Sequence, residues 1–165
     1  MRETNLADWG IFRKEPDKAW LTYKIYESDS SDFAFYFYNI GEWGLMKYAS
    51  KLQILKDKST PKVIYDSEKI RFLFNVFDEK DFIYDWTPQG LICLRQLIPL
   101  GHNKYSYPFM VINLVSVSYA IIEDTEIKTL EKTTASIINI TYTTDLTGEL
   151  NLNDLKWRPL TGASF

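Results

Sequence analysis

A nucleophilic centre needs a base beside the nucleophile, and this sequence offers one thiol, Cys93, and one imidazole, His102. Cys93 falls inside a predicted strand, Leu91–Ile98, and His102 in the loop Pro99–Pro108. The six residues from Cys93 to Pro99 cover roughly 20 Å of extended chain, so the loop would have to fold back completely to bring imidazole to sulfur. The pair reads instead as a core thiol and an exposed loop imidazole. A serine triad would need the same histidine, and no G-x-S-x-G elbow occurs. A single Cys and a single His also exclude an internal disulfide and every zinc site built from His and Cys alone.

Carboxylates are the other route to catalysis. Asp81 and Asp85 share a strand face but lie roughly 13 Å apart. Glycosidase pairs are about 5–5.5 Å or 6.5–9.5 Å apart, so these two do not form one. Asp78 and Asp81 face each other across a turn, and with Glu79 they could hold a hard cation. Lys80 interrupts that loop, which lacks the oxygen ladder of a calcium site and reads as a solvated tip. Asp85 is the possible buried functional carboxylate: the strand register places it between Phe74 and Ile92, where it would need a partner or a raised pKa. No metal and no cofactor is expected. No catalytic residue is assigned.

Phosphate-binding loops are missing, since the seven glycines are scattered without G-x-x-x-x-G-K-[ST] or G-x-G-x-x-G. Gly41-Glu42-Trp43-Gly44 has the spacing of a KH loop, but Glu42 would repel phosphate. Net charge is −3, with 19 basic and 22 acidic side chains. Neither half of the chain carries a basic excess, so the footprint of a nucleic-acid or anionic-membrane binder is absent. The N-terminal stretch has no apolar signal segment, which makes the cytoplasm the expected compartment.

The elements that must position these groups are strands. Alternating apolar and β-branched runs predict strands at Trp20–Tyr26, Phe33–Asn39, Leu45–Tyr48, Leu52–Leu55, Val63–Tyr65, Ile70–Phe77, Phe82–Trp86, Leu91–Ile98, Phe109–Val115, Tyr119–Glu123 and Ile137–Thr143. Turn signals separate them. Helical candidates are Asp124–Lys132, of two turns, and Leu152–Trp157, of one. Residues 1–165 therefore read as a single all-β domain, an antiparallel sandwich or barrel of about ten strands with at most one or two short helices. Closing the turn 78–81 pairs Leu73 with Trp86, and closing Thr87-Pro88-Gln89-Gly90 pairs Trp86 with Leu91 and Tyr84 with Cys93. Both faces of the resulting strands are apolar. Such strands are covered on both sides, or keep one face for a partner.

Aromatic content is high, at 11 Tyr, 10 Phe and 5 Trp, and these rings give contact area at low entropic cost. With no catalytic set, the chain reads as a non-catalytic protein-binding module. In character it resembles the small, acidic, all-β immunity proteins with which bacteria neutralise toxins. That likeness implies occlusion of the active site of a toxin or effector, with acidic side chains steering a basic partner. The expected contact residues are Asp78, Glu79 and Asp81, with Trp43, Tyr105 and Tyr107 as aromatic anchors on loops. The alternatives are a small-molecule or carbohydrate-binding β-barrel or sandwich, and a structural subunit of a phage or secretion apparatus.

Overall fold

Three open antiparallel sheets lie one over another in the computed structural model, which describes residues 1–12, 23–43, 46–67, 71–75, 83–124 and 126–160. For residues 39, 42, 43, 46, 47, 67, 74 and 75 the description covers the backbone alone. The first sheet runs β1 (Arg2–Glu3), β2 (Tyr23–Glu27), β3 (Phe33–Trp43), β4 (Met46–Lys56) and β5 (Lys62–Ser67), with β6 (Phe72–Asn75) also on β4. β4 serves two neighbours along its length: Leu52–Lys56 pair with β5 and Met46–Ala49 with β6. Gly41 pairs with Tyr48, whose ring covers it so closely that a Cβ there would lie 2.5 Å from ring carbon Cζ.

The second sheet contains β7 (Ile83–Trp86), β8 (Leu91–Arg95), β11 (Phe109–Asn113), β12 (Ser118–Ile122) and β16 (Arg158–Pro159), in the order β16-β12-β11-β8-β7. Between β8 and β11 the chain makes a separate hairpin, β9 (Ile98–Gly101) and β10 (Lys104–Ser106). The third sheet is β13 (Ile127–Lys132), β14 (Ile137–Tyr142) and β15 (Thr147–Asn151).

Stacking accounts for the strands with two apolar faces. Phe35 and Phe37 of β3 meet Ile92 and Leu94 of β8 and Met110 and Ile112 of β11 in one core. The alternate residues of the second sheet, Leu91, Cys93, Phe109 and Val111, turn to the other side and pack on Ile127, Leu130, Ile138 and Ile140 of the third. Ala34, Tyr36 and Tyr38, on the outer face of β3, are covered with Ile25 by Leu6 and Trp9. Period-two alternation sends successive side chains to opposite faces, so a central strand must be apolar throughout.

The all-β expectation holds, and no α-helix occurs among the described residues. Three points differ from the sequence reading. First, β6 does not pair with β7: Leu73 lies opposite Tyr48 in the first sheet, and β7 belongs to the second. A strand apolar on both faces does not specify its neighbour, and a turn signal serves a crossover between sheets as well as a hairpin. The register of β7 on β8 is as predicted, Trp86 opposite Leu91 and Tyr84 opposite Cys93. Its turn, Thr87–Gln89, ends at Gly90, whose φ of 73° is left-handed.

Second, Ile127–Lys132 is a strand, where a helix was expected. A register shift between Ile127 and Thr129 puts Ile127 and Leu130, three apart, on one buried face, and that spacing imitates a helical period. Leu152–Asp154 is the single helical turn expected there, capped by Asn151 Oδ1 accepting from the Asn153 amide at 2.9 Å. Third, the strands outnumber the expected ten, because short pairs such as β9 and β10 form in stretches read as loops.

One charged group lies inside the first layer. Glu27, at the end of β2, is 0% exposed. Its carboxylate accepts hydrogen bonds from Trp9 Nε1 at 3.0 Å, Ser31 Oγ at 2.9 Å, Lys58 Nζ at 2.6 Å and the Arg2 guanidinium. Burial alone would raise its pKa, and the bonds from Lys58, Arg2, Ser31 and Trp9 outweigh that, lowering it from 4.5 to about 2. A folded pKa below the unfolded one means that the carboxylate contributes fully above about pH 4.5 and stops contributing as pH falls towards 2. Urea unfolding at pH 6, 4 and 3 should show wild type losing stability across this window. Glu27→Gln should be weaker at pH 6 by about 2 kcal/mol and less sensitive to acid.

Candidate functional site

The β9–β10 hairpin stands apart from the layers. Its base is fixed: the Gln96 amide donates to Pro108 O at 2.8 Å, the Leu97 amide donates to Arg71 O at 3.0 Å, and the Gln96 side chain is buried. Beyond the base, β9 and β10 pair only with each other among the described strands. Gly101 lies opposite Lys104, leaving a two-residue turn in which His102 and Asn103 have φ of 48° and 59°. Two successive left-handed residues define the mirror-image turn whose twist suits a hairpin. All four residues of β9 are exposed, with Ile98 at 41% and Leu100 at 63%. Ile98 and Leu100 share one face of the arm, while Pro99 lies opposite Tyr105 on the other. Pro99 has no amide hydrogen, which blunts the edge of β9 against strand addition.

Charge is distributed unevenly in a way that averaging over half the chain conceals. No carboxylate occurs between Arg95 and Ile122, so the arm carries only Lys104 and His102. Residues 123–154, which contain the third sheet, hold seven carboxylates against two lysines. Both lysines are engaged, Lys128 with Asp145 at 3.1 Å and Lys132 with the carbonyls of Thr134 and Ala135. Glu131, Asn139 and Glu149 form one row across the three strands and line a surface hollow of about 390 Å³. The surface of this sheet is therefore acidic and polar, while its inner face closes the second core.

The described residues singled out from the sequence lie on several elements. Tyr105 is in β10 and Tyr107 follows it towards the base, both half-buried, so these two belong to the arm and neither is on a loop tip. Trp43 closes β3 opposite Met46. Asp78, Glu79 and Asp81 lie outside the described residues. Cys93 is fully buried in β8, where burial pushes its thiol pKa up, and His102 is exposed at the arm's tip. Arg95 places its guanidinium 4.8 Å from the Phe109 ring centre and donates to Ile127 O at 3.3 Å. Among the described residues no three His, Cys, Asp or Glu side chains converge to hold a metal ion. No helix there is long and apolar enough to cross a membrane.

Asp85 is half-buried, its side chain 9% exposed, and lies opposite Ile92 as expected, but Phe74, the other expected neighbour, is in the first sheet. It accepts from the Thr87 hydroxyl, from the Thr87 amide at 3.0 Å and from the Asp29 amide at 3.2 Å, with the Met1 ammonium 3.3 Å away. Burial would raise its pKa, yet the bonds from Thr87 and Asp29 bring it below the usual range. The carboxylate thus joins the first and second sheets, with both oxygens engaged. The exposed leucine and isoleucine of the arm gave no periodic signal distinct from a core strand, and only their position among Pro, Gly and Asn hinted at a projection.

The fold and surface define a layered all-β protein with a projecting arm. No known protein family, curated protein or solved structure matches this chain.

Asp85→Asn keeps the shape but turns a charged acceptor into an amide facing two backbone donors and a hydroxyl. It should destabilise by about 1–3 kcal/mol, measured by denaturant unfolding at pH 7. The difference from wild type should shrink as pH falls below about 3.8, where the wild-type carboxyl approaches its lowered folded pKa and loses its advantage.

Proposed function

We propose that the chain is a non-catalytic protein-binding module that docks through the β9–β10 arm. The observation that carries this reading is an arm held rigidly at its base while Ile98 and Leu100 stay in water. Exposing large apolar side chains on a paired hairpin costs solubility, and the cost is offset when a partner covers them. Tyr105 and Tyr107 add amphipathic area to the same element. The acidic third sheet supplies the long-range field: carboxylates in excess draw a basic partner to the surface, and the apolar arm then fixes the contact.

An immunity-type inhibitor acting in the cytoplasm is the form of this function that fits these features. The arm would enter the active-site cleft of a toxin or effector and block it. The partner is then a protein with a basic approach surface and an apolar-walled cleft. No step of chemistry is assigned to the chain itself.

The test is co-expression with the product of the neighbouring reading frame. Wild type should co-purify with that product and suppress its activity. The double variant Ile98→Asp/Leu100→Asp should bind at least roughly 100-fold more weakly with an unchanged Tm. Glu131→Gln/Glu149→Gln should slow association and flatten its salt dependence while leaving dissociation unchanged. Retention of full affinity by the arm variant would refute the reading, as would turnover of a substrate by the purified chain.

A further inference from the structure

A second surface, separate from the arm, has the form of a ligand site. Among the described residues β16 pairs with β12 at Ser118↔Pro159 and Tyr119↔Arg158 only. An unbroken ladder would place Lys156 opposite Ile121, but the chain leaves the sheet there. Leu155 and Trp157 turn to the second core, and Trp157 Nε1 donates to Leu152 O at 2.9 Å. The two segments part like a fork. Between them lies a hollow of about 310 Å³ lined by Tyr119, Ile121, Glu123, Lys156 and Arg158.

Its floor is firm, because Tyr119 and Ile121 pack on the first core. Its rim is charged: Glu123, Lys156 and Arg158 are exposed to solvent and make no ion pair with one another. Opposite charges that share a hollow without touching leave room for a ligand that carries both signs. Beyond Tyr119, the edge of β12 opposite β11 has no strand partner among the described residues. A fork of this kind presents main-chain groups for pairing, one apolar pocket and two cations at the closed end.

We propose that the fork binds the C-terminal end of an extended peptide. An added strand antiparallel to β12 runs in the direction of β16, so it ends at Arg158. Its terminal carboxylate there meets Arg158 and Lys156, in the manner of sheet-edge recognition with carboxylate capture. The last side chain lies over Tyr119 and Ile121. The side chain two residues earlier is on the same face, about 6.7 Å further along, towards Glu123, which selects a basic residue. The ligand class is a peptide or protein C-terminus with a Lys or Arg at the antepenultimate position.

The experiment is a titration of ¹⁵N-labelled full-length chain with an N-acetylated pentapeptide ending Lys-Ala-Leu, as the free acid and as the C-terminal amide. The free acid should shift the amides of Ala120, Ile121 and Ile122, and the amide form should bind roughly ten-fold or more weakly. Glu123→Gln should remove the preference for Lys over Gln at the antepenultimate position, and Lys156→Gln should weaken the free acid alone. Equal binding of acid and amide overturns the proposal, as does an absence of shifts at residues 120–123 with millimolar peptide. The acid–amide comparison uses wild type, so it stands even where a variant fails to fold. Neither readout involves the arm, so this test and that of the docking function fail independently.

Discussion

Glu27 organises the first layer. A carboxylate with no solvent exposure is tolerated only when its oxygens are filled, and four donors from four parts of the chain fill these. Arg2 comes from β1, Trp9 from the N-terminal turn, Ser31 from the β2–β3 connection and Lys58 from the turn after β4. Because the indole of Trp9 is fastened to that carboxylate, the ring stays over Ile25, Tyr36 and Tyr38 and shields the outer face of β3. The charge therefore acts less as a source of net stability than as a locating pin. Asp85 has the corresponding position between layers, binding the 28–32 turn to the end of β7.

Both carboxylates hold parts of the chain in place, and Cys93 is sealed in the second core. The molecule offers three surfaces with different characters: an apolar arm without carboxylates, an acidic sheet, and a charged fork at a sheet edge. Their separation on different elements lets each change without disturbing the cores.

The sequence was legible where local pattern and tertiary need agreed. Thr87-Pro88-Gln89-Gly90 encodes its own turn, and the β7–β8 register followed from it. The two-faced strands Phe33–Tyr38 and Leu91–Leu94 called for a cover on both sides or a face kept for a partner, and both faces are covered. What covers them was not encoded locally. The third sheet was partly hidden by the bulge at Ile127–Thr129, which gives a strand helical spacing. β6 was assigned to the wrong sheet because Phe72–Asn75 is as apolar as any of its potential partners. Arm and fork escaped notice for a related reason. Both depend on where pairing stops, and a residue pattern specifies pairing far better than its end.

The stacking order has a consequence for synthesis. The ribosome releases the first sheet, then strands β7, β8, β11 and β12 of the second, then the third sheet, and β16 last. Until β13 to β15 emerge, Leu91, Cys93, Phe109 and Val111 present an uncovered apolar plane to solvent or to a neighbouring nascent chain. A product truncated by stalling before the third sheet would keep most of its secondary structure and still be a substrate for holdase chaperones and proteases. The middle of the chain is thus hidden only by strands that follow it in sequence, Ile127–Lys132 and Ile137–Tyr142.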